Sequence, residues 1–257
     1  VVLTVVFPIY MIVSNSFKPT LLIRKMPPQF FFPLTLQHYV KILKQGNFLS
    51  YFGNSFIIAM STTVISIVLG SLAAYGLAIM KSNWGNRIST FLLFSKLVPT
   101  ITIMIPLYII LDKVHLLGTY VGPILAHVSV NAPFVAWLVL GFIRDIPGDL
   151  FEAGKLDGCT RMQVFWKIVF PLLSPAIGSA LLLVMQYSWN ELLFSMQYTN
   201  LHTYTLTVGV SRFVGAISVD WGQSSAAATI VMVPIIIAGF FLQKYLVSGL
   251  TAGAVKG

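Results

Sequence analysis

The chain has 257 residues, of which 57% are apolar and 9% charged, with a net charge of +9 and a mean hydropathy of +0.87. A water-soluble domain would carry roughly a quarter charged residues, so the composition excludes an ordinary soluble protein and places the chain in the membrane class. The basic residues are dispersed without an aromatic–basic platform, which argues against a nucleic-acid partner, and the lone Cys159 excludes an intrachain disulfide or a multi-cysteine metal site.

In chain order, the opening run 1–17 is apolar and lacks a Met. It reads as a first helix with part of its length, and any cytoplasmic tail, missing upstream. No basic region or small-residue cleavage site surrounds it, so it does not read as a signal peptide. Pro19, Pro27, Pro28 and Pro33 predict an extended external segment. Five later stretches contain no Asp, Glu, Lys or Arg: 45–80, 97–111, 114–143, 168–190 and 221–243. A transmembrane helix needs about 20 mostly apolar residues, so with the opening run six spans are expected. Helix two covers 49–80 and carries small residues at Gly70, Ala73, Ala74 and Gly76, suited to close packing in lipid. A polar turn over 81–87 leads to helix three, 88–111, interrupted by Pro99 and Pro106. Its one charge, Lys96, is expected to snorkel to the cytoplasmic surface. Helix four covers 117–143, and its His127 reads as a hydrogen-bonded bundle residue. Helix five covers 172–196, an external loop 197–220, helix six 223–245 and a tail 246–257. The expected fold is an all-α polytopic integral membrane protein with six transmembrane helices, forming one domain over 1–257.

The segment 144–171, between helices four and five, is polar and sets out its own fold. Pro147 and Gly148 stop the chain, and Asp149 with Glu152 three residues later predicts a capping-box-like helix start. Gly158 supplies a flexible or left-handed turn. Thr160 and Gln163 form a second capping box, so another helix runs to Pro171. The prediction is a helix–Gly–helix elbow on the membrane surface. Catalytic motifs are missing. The fragment Gly154-Lys155 is followed by Leu156 and lacks the upstream Gly of a phosphate-binding loop. No H-E-x-x-H surrounds His38, His115, His127 or His202, and Gly209-Val210-Ser211 does not continue into a nucleophile elbow.

Glu152, Ala153, Gly158, Ile168 and Pro171 fall on the spacing Glu-Ala-Ala, three residues, Gly, nine residues, Ile, one residue, Leu-Pro, with Gly154 and Phe170 at the two departures. This resembles the cytoplasmic EAA loop of membrane subunits of ATP-binding-cassette importers. Asn15-Ser16-Phe17-Lys18-Pro19, Asn54-Ser55, Leu72-Ala73-Ala74-Tyr75-Gly76, Pro106-Leu107-Tyr108, Pro133-Phe134 and Trp189-Asn190-Glu191 look like carbohydrate-importer permeases. The segment Gly249-Leu250-Thr251-Ala252-Gly253-Ala254-Val255-Lys256-Gly257 is similar to the tail of the maltose-type second permease. The likeness runs over essentially the whole chain.

The resemblance implies a non-catalytic permease in a bacterial or archaeal cytoplasmic membrane. Its partners would be two ATPase subunits that use ATP and Mg, a homologous companion permease and an extracytoplasmic solute-binding protein, with an oligosaccharide as substrate and no cofactor on this chain. It implies that the elbow is a coupling helix seated on the ATPase. Glu152 would contact a basic residue there, Ala153 and Gly154 would permit close approach, Gly158 would set the angle, and Asp157, Ile168 and Pro171 complete the motif. Orientation also rests on the resemblance, since eight basic residues on one side against seven on the other decide nothing.

Polar and aromatic candidates for the substrate path are Asn131 in helix four and Tyr187, Trp189, Asn190 and Glu191 in helix five. Interhelical hydrogen bonding, or interface anchoring for Trp189, is the competing reading. The seven external basic residues against Asp112 and Asp220 favour an acidic oligosaccharide, unless they meet lipid phosphates or an acidic binding protein. An ion-coupled secondary transporter is the alternative class. It would show inverted repeats and paired ionisable residues near midplane, and the sequence shows neither.

Overall fold

The structure is a computed structural model that describes residues 2–44, 47–80, 84–212 and 220–252, with side chains to Gln243. Part of the expected 81–87 turn, residues 213–219 of the external loop and residues 253–257 of the tail lie outside the described residues. The regular elements described are all helical. Phe48–Ala78, Val121–Arg144 and Trp221–Gln243 are each long and apolar enough to cross a membrane. Two further pairs pass only as bent units: Trp84–Ser95 with Thr100–Lys113, turned by 94°, and Arg161–Leu172 with Ser174–Asn190, turned by 78°. That makes up to five spans, and Val2–Ser16 adds an apolar helix of 15 residues, shorter than a full crossing.

The bends have local causes. Pro99 ends the first half of the expected helix three and stands as N-cap of Thr100–Lys113, because proline disfavours helical backbone in the residue before it. Pro171 and Pro175 lack the N–H that a continuous ladder through Leu173 requires. Pro175 instead occupies the first turn of Ser174–Asn190, where no donor is needed. Expected helix five also stops short of 196. Glu191 is extended, with φ −69° and ψ 130°, and a separate helix runs from Leu193 to Tyr198.

Burial is distributed as lipid demands. Leu, Ile and Phe residues such as Phe91, Leu97, Ile105 and Phe240 are exposed, whereas Thr62, Thr63, Ser66, Ser71, Asn131 and Ser188 are buried. With hydrocarbon outside, apolar surface gains nothing from burial, and small or hydrogen-bonding residues hold the helices together. Phe48–Ala78 packs along Val121–Arg144 through Gly70, where an added Cβ would lie 2.6 Å from Val135 Cβ and 3.0 Å from the Ala132 carbonyl. Ala74 is buried beside it, but Ala73 is exposed and Gly76 faces open space. The small-residue face is therefore narrower than the sequence suggested.

The long Phe48–Ala78 helix is pinned at both ends. At one end the Asn54 amide donates to the His202 and Tyr204 carbonyls at 2.9 and 3.0 Å and accepts from the Tyr120 hydroxyl at 2.8 Å. Ser55 Oγ accepts from Leu206 N–H at 2.7 Å. At the other end the Tyr75 hydroxyl donates to the Arg161 carbonyl at 3.0 Å, and its ring packs against Phe165 and Phe151.

Candidate functional site

Two sets of candidate residues resolve into two sites. The first is the elbow. Its opening helix, Gly148–Leu156, begins after Pro147 with no side-chain cap; Asp149 sits inside the first turn, so the expected box with Glu152 does not form. An acidic residue there still favours the positive helix end. The helix ends in a paired-bond Gly motif: Gly158 N–H donates to the Lys155 carbonyl and Cys159 N–H to the Gly154 carbonyl, both at 3.0 Å. Gly158 has φ +77°, and an added Cβ would meet nothing within 4 Å. Glycine is needed there for backbone conformation alone. The Thr160–Gln163 capping box is complete, with Thr160 N–H donating to Gln163 Oε1 at 2.8 Å and Gln163 N–H to Thr160 Oγ1 at 3.3 Å. A π-helical turn, Phe165–Val169, follows.

Gly154 departs from its expected role. It is buried, and a Cβ there would come 2.7 Å from Ile168 Cδ1 and 3.0 Å from Val164 Cγ2. It lets the two arms of the elbow close on each other rather than on a partner. Ile168 is half-buried against it. Glu152, Ala153, Asp157 and Pro171 are exposed, and Leu156 is 88% exposed. The inner side of the elbow roots in the core through Val164, Phe165 and Val169, packed with Tyr75, Ile143 and Leu173. A cleft of about 450 Å³ lined by Tyr75, Arg144, Phe151, Glu152, Lys155 and Arg161 separates the opening helix from the bundle. The outcome is a projection rooted in the core, with Leu156 exposed on its opening helix and Glu152 exposed at the edge of the cleft.

The second site lies inside the bundle. Asn131, 1% exposed, donates to the His127 carbonyl at 2.7 Å and accepts from Lys96 Nζ at 3.2 Å. The same ammonium stands 4.7 Å from the Tyr187 ring centroid and 5.1 Å from that of Phe134. Lys96 thus points into the bundle at the 94° bend, contrary to the expected snorkelling, because the chain turns there instead of continuing to the surface. The Tyr187 hydroxyl is buried without a hydrogen bond of ordinary geometry, although the Thr100 side chain approaches it.

Three helix-five candidates are placed elsewhere. Trp189 is 1% exposed, donates Nε1–H to the Val231 carbonyl at 3.1 Å and packs edge-on to Phe52, so it is a core residue rather than an interface anchor or path residue. Glu191 is turned inward. Its oxygens accept from Phe194 N–H at 2.9 Å and Ser195 N–H at 3.0 Å, and Oε2 lies 3.1 Å from His127 Nε2. It caps the Leu193–Tyr198 helix. His127 Nδ1 in turn lies 2.7 Å from Ser188 Oγ, the bundle role expected of it. A buried ionisable pair therefore does exist, which the sequence did not reveal. Asn190 is exposed, with its amide donating to the Gln186 carbonyl at 3.0 Å.

Sequence reasoning missed Tyr75 and Lys96 as site residues. Tyr75 lay within the Leu72–Gly76 resemblance, and Lys96 was the only charge between Arg87 and Asp112; both signals were available.

The model of the family described as binding-protein-dependent transport system inner membrane component matches residues 66–252. Trehalose transport system permease protein SugB of Mycobacterium tuberculosis is 33% identical, over 97% of this chain and 92% of its own length. Trehalose/maltose transport system permease protein MalG of Thermococcus litoralis is 34% identical, over 87% of this chain and 82% of its own. A chain from the crystal structure of a bacterial ABC transporter involved in the import of the acidic polysaccharide alginate superposes with a TM-score of 0.82 at 20% identity, covering 95% of this chain and 91% of that one; this likeness is one of fold. The chain belongs to the inner membrane components of binding-protein-dependent transport systems, as a membrane-spanning permease rather than the ATP-hydrolysing subunit.

Proposed function

We propose that this chain is one permease of an ATP-driven oligosaccharide importer and that its elbow, residues 148–172, transmits ATPase closure to the bundle. The observation that carries the reading is the construction of the elbow. Its turn is closed by backbone bonds at Gly158 and by the Thr160–Gln163 box, while Tyr75 and Phe165 fasten its inner arm to the core. A lever needs a fastened root and a free outer surface, and here the opening helix carries exposed Glu152 and Leu156. Glu152 would make a charge-assisted contact to a basic residue of the ATPase, and Leu156 would fill an apolar depression beside it. The companion permease, binding protein and pair of ATPases follow from the family, and the oligosaccharide from the named substrates of the relatives.

The outer charges give limited support for an acidic solute. Lys18 is 2% exposed and donates to Asn15 Oδ1, Lys41 pairs with Asp220, and Arg212 lies over the Tyr204 ring. Lys25, Lys44 and Lys113 remain exposed. The buried His127–Glu191 pair does not favour a proton-coupled carrier, since Glu191 is saturated by the helix it caps. The test is co-purification of the chain with an ATPase, followed by sugar uptake into liposomes. Uptake that requires ATP supports the reading; uptake driven by an ion gradient without ATP overturns it.

A further inference from the structure

We propose that Lys96, with Asn131 and Tyr187, forms a docking point inside the transport path for a negatively charged group on the solute, a uronic-acid carboxylate. The inference rests on the importer reading above and names the substrate class of its path. Lys96 occupies the bend between Trp84–Ser95 and Thr100–Lys113, and Asn131 stands ten residues from the start and thirteen from the end of Val121–Arg144. The site is therefore deep in the bundle rather than at its rim. Charged groups at such depth are costly and are found where a path or counter-charge uses them.

No counter-charge is present among the described residues. Lys96 forms no salt bridge to a carboxylate among the described residues; its partners are one amide oxygen and two ring faces. An ammonium has three donors, so the single bond to Asn131 leaves donors for a ligand. The buried Tyr187 hydroxyl, approached by the Thr100 side chain without a hydrogen bond of ordinary geometry, adds a polar group beside it. The Thr100–Lys113 helix, 14 residues long, begins at the same point, and the positive end of its dipole adds to the ammonium. Discontinuous helices in other transporters present their N-terminal ends to anionic substrate groups in this way. The nearby carboxylate, Glu191, does not answer Lys96, because its oxygens are held by Phe194, Ser195 and His127. A neutral sugar would satisfy the hydroxyl and amide but leave the cation without its opposite.

The test uses the complete importer, with both permeases, the ATPases and the binding protein, in liposomes. Uptake of a uronic-acid trisaccharide is compared with that of a neutral glucose trisaccharide. Wild type is expected to take up the acidic sugar faster by about ten-fold or more, the scale of one charge-assisted hydrogen bond. Lys96→Gln should lose that advantage and Lys96→Arg should retain it. Asn131→Asp keeps the ammonium but sets a carboxylate against it, and should lose the advantage as well; this separates neutralised charge from damaged packing. A wild-type preference for the neutral sugar overturns the inference and leaves the importer standing, as does an acidic preference that survives both Lys96→Gln and Asn131→Asp. No ATP-driven uptake of either sugar overturns the importer reading and this inference with it.

Discussion

The chain breaks its helices inside the bundle at Lys96–Pro99 and again at Glu191–Leu192, and the two breaks are finished in opposite ways. At the second, one carboxylate accepts two backbone N–H groups of the following helix and meets His127, itself against Ser188. Every strong group there has a partner within the chain. At the first, an ammonium faces an amide oxygen and two aromatic rings, and the buried tyrosine hydroxyl beside it has the Thr100 side chain near but no hydrogen bond of ordinary geometry. A closed joint serves the fold, whereas an open one costs stability that only a ligand or a partner recovers. The elbow belongs with the closed joint: its turn is held by backbone bonds at Gly158 and by the Thr160–Gln163 box.

The largest effect that separates the two breaks is on stability. Glu191→Ala strands two backbone donors and His127 in the interior, and should cost about 3–5 kcal/mol, the range for breaking a buried charged pair. Lys96→Met removes a cation that lacks a carboxylate partner and should change stability by less than about 1 kcal/mol, since the lost Asn131 hydrogen bond and the contacts over the Tyr187 and Phe134 rings are offset by no longer burying a charge. Thermal unfolding of the purified complex reads both. Equal losses would end the distinction between the breaks.

A second test concerns the close approach of Phe48–Ala78 to Val121–Arg144. Gly70→Val places a Cβ against Val135 and the Ala132 carbonyl and should cost about 1–3 kcal/mol through overpacking. Gly76→Val on the same helix meets open space and should cost little. A lower unfolding temperature for Gly70→Val than for Gly76→Val is the expected result. Thr160→Ala comes next. It removes one half of the capping box and should destabilise the elbow by about 1 kcal/mol, seen as faster amide exchange over 161–164.

The smallest effect is electrostatic and lies at the far end. Burial pushes the Asp220 carboxyl up, but hydrogen bonds from the Gln223 backbone and side chain, with Lys41 nearby, hold it below the usual carboxylate range. A lowered folded-state value means that the contribution is complete above about pH 5 and is lost as pH falls through that value. Because Lys41 is 57% exposed, its share is at most a few tenths of a kcal/mol. Acid titration of unfolding should show this step in wild type and lose it in Asp220→Asn.

Much of the arrangement was legible in the chain. Uninterrupted apolar runs located the three straight spans and the two bent pairs, although Val2–Ser16, the first of six expected, is shorter than a full crossing; the Thr160–Gln163 spacing and Gly158 set the elbow, because capping and left-handed turns are decided by a few adjacent residues. Other features depended on how distant segments meet. Pro99 announced a break but not its 94° turn, so Lys96 was sent outward when it points in. Glu191 read as a path residue because nothing in its neighbourhood reveals that its carboxylate closes onto the helix after it. Gly154 sat on a motif associated with a partner, yet Val164 and Ile168, ten and fourteen residues later, are what it accommodates.

The elbow as a coupling lever is tested most directly at Gly158. A side chain there meets no atom within 4 Å, so Gly158→Val should leave docking and assembly intact and act only through backbone conformation. The left-handed geometry then carries a penalty of about 1–2 kcal/mol. The measurement is sugar transported per ATP hydrolysed, in liposomes containing the complete importer. The expected result is continued hydrolysis, with uptake per ATP lower by roughly five- to thirty-fold, the ratio to which that penalty corresponds. Unchanged uptake per ATP in a fully assembled Gly158→Val complex would contradict the account.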